Sequence, residues 1–244
     1  MNKKLQVIGI WVGMFLAVTN GFAADITVDD ILNKLNQNQQ QINTMKMTMT
    51  SVTKIEMPGK EPMSIAQSST MIFKKPDKMK METTSPMHQV IIRSGNKVYM
   101  KMPDGRIIKQ DMAEYGMQLP GMDFTPGTMQ DFNKNFTVRL DNQESKPSEN
   151  LYVLTLIPKK PDEMMSMMKM TLDYQKGCVN KIQMYNAKEE LWSTVEMENQ
   201  LTDGIWMPKK LIVDSNMPSG KSKTEITYEE LKINCEVGDG EFRF

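Results

Sequence analysis

The sequence predicts a mainly β chain of the α+β class, built as one strongly curved antiparallel sheet with helices packed inside or across it. Three observations carry that prediction. Apolar and polar residues alternate with period two in one short run after another, as in Met79-Lys80-Met81-Glu82 and Val98-Tyr99-Met100-Lys101-Met102. The runs are separated by short turn signals and show no βαβ rhythm, which favours antiparallel neighbours. Helical periodicity is confined to the start of the exported chain and to one Pro- and Gly-rich interruption.

Residues 1–24 read as a secretory signal. Lys3 and Lys4 form a charged start, Leu5 to Val18 an apolar stretch, and Gly21-Phe22-Ala23 a cleavage site after Ala23. The apolar run is short for a membrane span. Residues 25–244 are then expected to form one exported, periplasmic domain, a length that suits a single all-β unit. Cys178 and Cys235 are free to pair in an oxidising compartment or to stay as separate thiols.

Residues 27–45 have helical spacing. Thr27 is the N-cap candidate and Asp30 stands three positions later, a capping-box pair. Val28, Ile31, Leu32, Leu35, Ile42 and Met45 share a face, although the polar tract Asn36–Gln41 thins it. Met45, Met47 and Met49 also alternate as a strand, followed by a turn at Pro58–Pro62 and a new run from Met63 and Ile65.

The stretch 68–103 then reads as a meander. Met71 and Phe73, Met79 and Met81, and Val98, Met100 and Met102 form the greasy side of three strands. Lys75-Pro76-Asp77, Thr84-Ser85-Pro86 and Ser94-Gly95-Asn96 separate them. Asp104-Gly105 turns into a return strand over 106–110. Residues 111–135 lose the alternation and read as one or two short helices with Pro-Gly joints, carrying Met117, Leu119, Met122 and Phe124.

Seven further strands are expected at 136–143, 151–158, 167–174, 179–185, 191–200, 207–214 and 223–234, about ten in all. Gln175-Lys176-Gly177 and Thr202-Asp203-Gly204 are hairpin turns. Pro208 suits a sheet edge or strand start. The terminal Phe242-Arg243-Phe244 is placed to pin the last strand.

Composition narrows function. Thirty Lys+Arg against thirty Asp+Glu leave no basic excess for nucleic acid, and aromatics at 7% are too few for base-stacking platforms. Methionine is the outlier at 26 residues. It is a soft, adaptable side chain that fills cores and also lines surfaces accepting variable apolar partners. His88 is the single histidine, with no nucleophile motif around it, so catalysis is not expected. The dense runs Met45–Met49 and Met164–Met170 permit a second reading, Cu(I) or Ag(I) bound by thioethers. No other metal and no cofactor is expected.

The order and spacing over 68–103 resemble the LolA/LolB-type outer-membrane lipoprotein-sorting proteins, whose fold is shared by the RseB/MucB N-terminal domain. The carrying features are a helix after a signal peptide, a strand ending in Lys74-Lys75-Pro76, and the alternating Met79/Met81 strand. The apolar Val90–Ile92 strand, the Ser94-Gly95-Asn96-Lys97 turn and a strand ending at Pro103 complete the pattern. The resemblance implies an incomplete β-barrel closed by a short helical lid. It also implies a soluble carrier of lipoprotein acyl chains or related lipids, working between an inner-membrane exporter and an outer-membrane acceptor. Met47, Met49, Met71, Phe73, Met79, Met81, Ile92, Val98 and Met100 would line its cavity. Lys75, Met117, Leu119, Met122 and Phe124 would serve the lid and its hinge, with Lys75 standing where the family carrier often has arginine. An RseB-like lipoprotein-stress sensor is the related alternative.

Overall fold

A computed structural model describes residues 26–111 and 132–244. The expected signal segment and the lid residues Met117, Leu119, Met122 and Phe124 lie outside the described residues.

Helix α1 spans Val28–Gln40. Thr27 Oγ1 accepts from the Asp30 N–H at 3.2 Å, and the Asp30 carboxylate accepts from the Thr27 N–H at 2.9 Å. The capping box is thus formed as its spacing predicts, satisfying two helix-start donors. The helix ends five residues short of the expected Met45. Asn234 holds the exit: its Oδ1 accepts from the Asn43 N–H at 2.8 Å, and its Nδ2 donates to the Gln41 carbonyl at 3.0 Å. Met45 is thereby released into the first strand.

The strands are β1 (Thr44–Glu56), β2 (Met63–Lys74), β3 (Lys78–Ser85), β4 (Gln89–Ser94), β5 (Lys97–Lys101) and β6 (Ile107–Asp111). After the short helix α2 (Phe132–Asn135) come β7 (Phe136–Leu140), β8 (Leu151–Pro158), β9 (Met167–Asp173) and β10 (Cys178–Tyr185). The last three are β11 (Leu191–Thr202), β12 (Ile205–Met217) and β13 (Gly220–Ile233).

All thirteen described strands join one antiparallel sheet in the order β6-β5-β4-β3-β2-β1-β13-β12-β11-β10-β9-β8-β7. Every neighbour is a sequence neighbour except where β13 returns to pair with β1. The sheet is not closed: β6 and β7 are its two edges, so it forms an incomplete barrel.

The core lies on one face of this sheet, against α1. Buried Ile31, Leu35 and Ile42 meet Met45 and Met47 of β1, Met71 and Phe73 of β2, and the inner residues of β7–β13. Leu154, Leu156, Met168, Met170, Leu172 and Ile182 are 0% exposed. The β9–β10 turn packs onto the helix. Gly177 has φ +64°, and a Cβ there would stand 3.0 Å from the Lys34 carbonyl oxygen, so only glycine fits without movement.

Two expectations are corrected, and the open question of the cysteines is answered. Pro208 is not at an edge; it lies in the interior strand β12, opposite Asn199 and beside the extra residue Lys209 that makes a bulge in β12, which spares the ladder its missing N–H. Phe244 packs edge-on against Tyr99 of β5 at 6.5 Å, so the chain end pins the β3–β5 region and not the last strand. Cys178 and Cys235 are both free thiols, the first buried.

The C-terminal tail crosses the outer face of β2–β5. The Lys74 ammonium donates to the Val237 carbonyl at 3.0 Å. Asp239 sits between Lys74 at 2.8 Å and Lys78 at 3.0 Å. Glu241 pairs with Lys46 at 3.3 Å.

Candidate functional site

The register of β1–β6 decides which predicted residues share a face. Met45, Met47 and Met49 oppose Phe73, Met71 and Ser69. Met71 and Phe73 oppose Met81 and Met79, which in turn oppose Ile91 and Arg93. Ile91 and Arg93 oppose Met100 and Val98, and these oppose Ile108 and Gln110. Cross-strand partners point to the same side of a sheet. Met47, Met49, Met71, Phe73, Met79, Met81, Val98 and Met100 therefore form one continuous inner surface.

Ile92 does not join them. It opposes Lys80 and Tyr99, on the outer face. It is nevertheless only 2% exposed, because the C-terminal tail packs over β3 and β4. Val90 is buried on the same outer side. The placement of Ile92 on the cavity side is therefore corrected. In its place stands Ile91, half-buried on the inner face.

Burial changes steadily across the inner surface. Near α1, Met45, Met47, Met71 and Phe73 are buried. One strand further on, Met79 and Met81 are half-buried, as are Ile91, Val98 and Met100 beyond them. At edge strand β6, Ile108 is 39% exposed. The apolar lining thus continues outward from the sealed core and becomes accessible towards the open edge. A satisfied polar row bounds it at one end. The Ser69 and Thr83 hydroxyls bond at 3.0 Å, and Gln67 Nε2 donates to them at 3.2 and 3.3 Å.

Lys75 ties the β2–β3 turn to the helix end. Its ammonium donates to the Gln40 carbonyl at 2.6 Å and its N–H to the Asn43 carbonyl at 2.8 Å. A cation at a helix C-terminus also meets the negative end of the helix dipole. This position couples the methionine-bearing hairpin to α1. Lysine does so as a point charge, without the planar fork of an arginine.

The thioether-rich runs do not converge. Met168 and Met170 point into the core beside Leu156 and Leu154, with Met184 and Ile182 on the other side. Met164 is 49% exposed. Strand alternation divides the run between two faces, which suits core filling better than chelation. Met45 and Met47 are likewise core residues. His88 is on the surface, bonded to Glu82 at 3.0 Å. That bond and Lys80 hold the Glu82 carboxyl below the usual range. Among the described residues no cluster of three or more His, Cys, Asp or Glu is placed to hold a metal ion.

A concavity of about 400 Å³ lies on the outer face of β10–β13. Lys181, Trp192, Glu196, Asp214 and Lys223 line it. Its mixed charges distinguish it from the apolar inner surface. No described helix is long and apolar enough to cross a membrane.

A family model with the description "Uncharacterized protein" matches residues 66–243. No curated protein matches the chain. Solved structures share its fold. A LolA superfamily protein from Nitrosomonas europaea superposes with TM-score 0.62 at 17% identity, over 90% of this chain and 98% of that one. A DUF1329 family protein from Desulfovibrio piger gives 0.62 at 16% identity, over 89% and 97%. A domain from Vibrio parahaemolyticus, described as an outer membrane lipoprotein-sorting protein, gives 0.59 at 14% identity, over 87% and 95%.

Proposed function

We propose, for a chain that belongs to the uncharacterized protein family matched over residues 66–243 and that has the fold of LolA superfamily proteins, a carrier function. It holds acyl chains of lipoproteins or related lipids against the inner methionine surface and moves them through the periplasm towards the outer membrane. The observation that carries this reading is the gradient of burial from Met47 and Met71, through Met79 and Met81, to Met100 and Ile108. A finished core has no reason to extend apolar side chains to an accessible edge. A carrier does, because its ligand supplies the missing cover.

The energetics suit transport. Each methylene removed from water contributes ~0.8 kcal/mol, so burying about fifteen of them gives ~12 kcal/mol, of which an association cost of roughly 4 kcal/mol leaves about 8. That is the scale of a micromolar complex, tight enough to shield a chain and weak enough to release it. Methionine adds tolerance, since its flexible thioether adapts to chains of different length. Export by the signal at 1–24 places the protein where lipids must cross an aqueous gap. An inner-membrane exporter and an outer-membrane acceptor are the partners this role requires. The role proposed for this surface is binding and release of a lipid, with no bond made or broken.

Uptake of a fluorescent fatty-acyl probe tests the reading. The wild type brightens the probe saturably, and Met81→Lys, which puts a charge in the middle of the lining, abolishes the signal while leaving the circular dichroism spectrum unchanged. A wild-type protein that takes up no probe would sink the proposal.

A further inference from the structure

Among the described residues, three buried side-chain atoms have no hydrogen-bond partner, and two of them are on α1: Asn36 Oδ1 and Gln39 Oε1. Residues three apart on a helix share a flank. The same helix shows how a buried amide is normally treated. On the opposite flank, Asn38 Nδ2 donates to the Trp206 carbonyl at 2.8 Å, and Asn38 Oδ1 accepts from the Trp206 N–H at 3.2 Å. Between the two flanks run Ile31 and Leu35, buried in the core with Met45, Met47, Met71 and Phe73. Asn36 and Gln39 therefore lie on the flank of α1 turned away from Trp206 of β12.

Buried acceptors without donors are costly and uncommon in native folds. Turning either amide about its last bond would replace an unpaired acceptor by two unpaired donors. Apolar residues at both positions would extend the stripe begun by Ile31 and Leu35. The pair is therefore a cost to the fold that a ligand can relieve.

We propose that Asn36 and Gln39 form the polar end of the carrier site, their side-chain carbonyls accepting hydrogen bonds from a donor next to the acyl chain. This deepens the carrier reading and rests on it. The ligand class is an acyl lipid with an amide N–H or hydroxyl near the chain, such as an N-acylated amino acid residue or an acylglycerol. An ionised carboxylate, which only accepts, gains nothing from these two oxygens.

The test is competition for a bound fluorescent acyl probe by N-methylpalmitamide and N,N-dimethylpalmitamide, which share chain and carbonyl and differ in one N–H. The wild type favours N-methylpalmitamide by about tenfold, the size expected when a buried acceptor gains its donor. The double substitution Asn36→Leu, Gln39→Leu brings the two amides to equal affinity and raises the Tm, because it removes two unpaired buried oxygens. Equal affinities in the wild type overturn the inference while leaving the carrier reading intact. Absence of probe uptake overturns both. A double variant with lowered Tm and undiminished preference shows a purely structural role and also overturns it. Should the double variant fail to fold, the wild-type comparison of the two amides decides alone.

Discussion

Methionine substitutions separate a sealed core from a ligand surface, because the same side chain occurs in both. Met170 is 0% exposed, between Leu154 of β8 and Ile182 of β10. Met170→Ala deletes a fully packed side chain and leaves a cavity that the sheet cannot close. The expected cost is ~2–5 kcal/mol. At roughly 2–4 °C per kcal/mol for a domain of this size, the Tm falls by about 4–20 °C. Met79, Met81 and Met100 are half-buried with part of each side chain already wet. Truncating any one costs about 1 kcal/mol of stability, since no sealed void forms. Binding reverses the order. The triple variant Met79→Ala, Met81→Ala, Met100→Ala loses contact with the acyl chain at three places. At roughly 1 kcal/mol each, acyl-probe affinity falls by about 100-fold. Met170→Ala, assayed well below its Tm, binds within threefold of wild type. Urea unfolding monitored by circular dichroism gives the first quantity, and probe titration gives the second. Should Met81→Ala or Met100→Ala cost as much stability as Met170→Ala, these residues belong to a closed core and the gradient argument fails.

Two further outcomes follow from the local chemistry. Burial pushes the Cys178 thiol up from 9.0 to about 12, so at pH 8 iodoacetamide adds once to the native protein, at Cys235, and twice after unfolding; two native adducts by intact mass would contradict this. Lys74 and Lys78 pull the Asp239 carboxyl down from 3.8 to about 2. A depressed carboxylate contributes above its unfolded value and loses that contribution as pH falls through the folded one. The tail over β2–β5 therefore stays docked at pH 4 and loosens towards pH 2, read as amide exchange at Val237–Phe244; loosening at pH 5 would refute the assignment.

Much of the sheet was readable from period two, because each strand has one wet side. The 151–158 strand came out with its bounds intact, since Pro158 and the turn residues around Asn150 punctuate it. Long-range pairing was not readable. Nothing local tells β13 to insert between β12 and β1, and hence nothing marked Pro208 as an interior bulge. Ile92 was misplaced for a related reason. Val90-Ile91-Ile92 has no alternation, so the sequence assigned it no face, and the tail segment that packs over β4, Asp239–Phe242, lies 147 or more positions further along the chain. That Met79, Met81 and Met100 share one face of the sheet was legible because they alternate with lysine, glutamate and tyrosine. Asn36 and Gln39 were passed over because polar residues in a helix read as solvent-facing. Only the unpaired state of their buried oxygens singles them out.

An acyl chain held on the inner methionine surface would travel with the purified protein. Native mass spectrometry of the protein purified from cells, followed by lipid extraction of the same sample, tests it most directly. The expected result is a bound acyl lipid on the wild-type protein and its loss in Met81→Lys. A wild-type protein that flies bare under gentle conditions and yields no extractable lipid would contradict it.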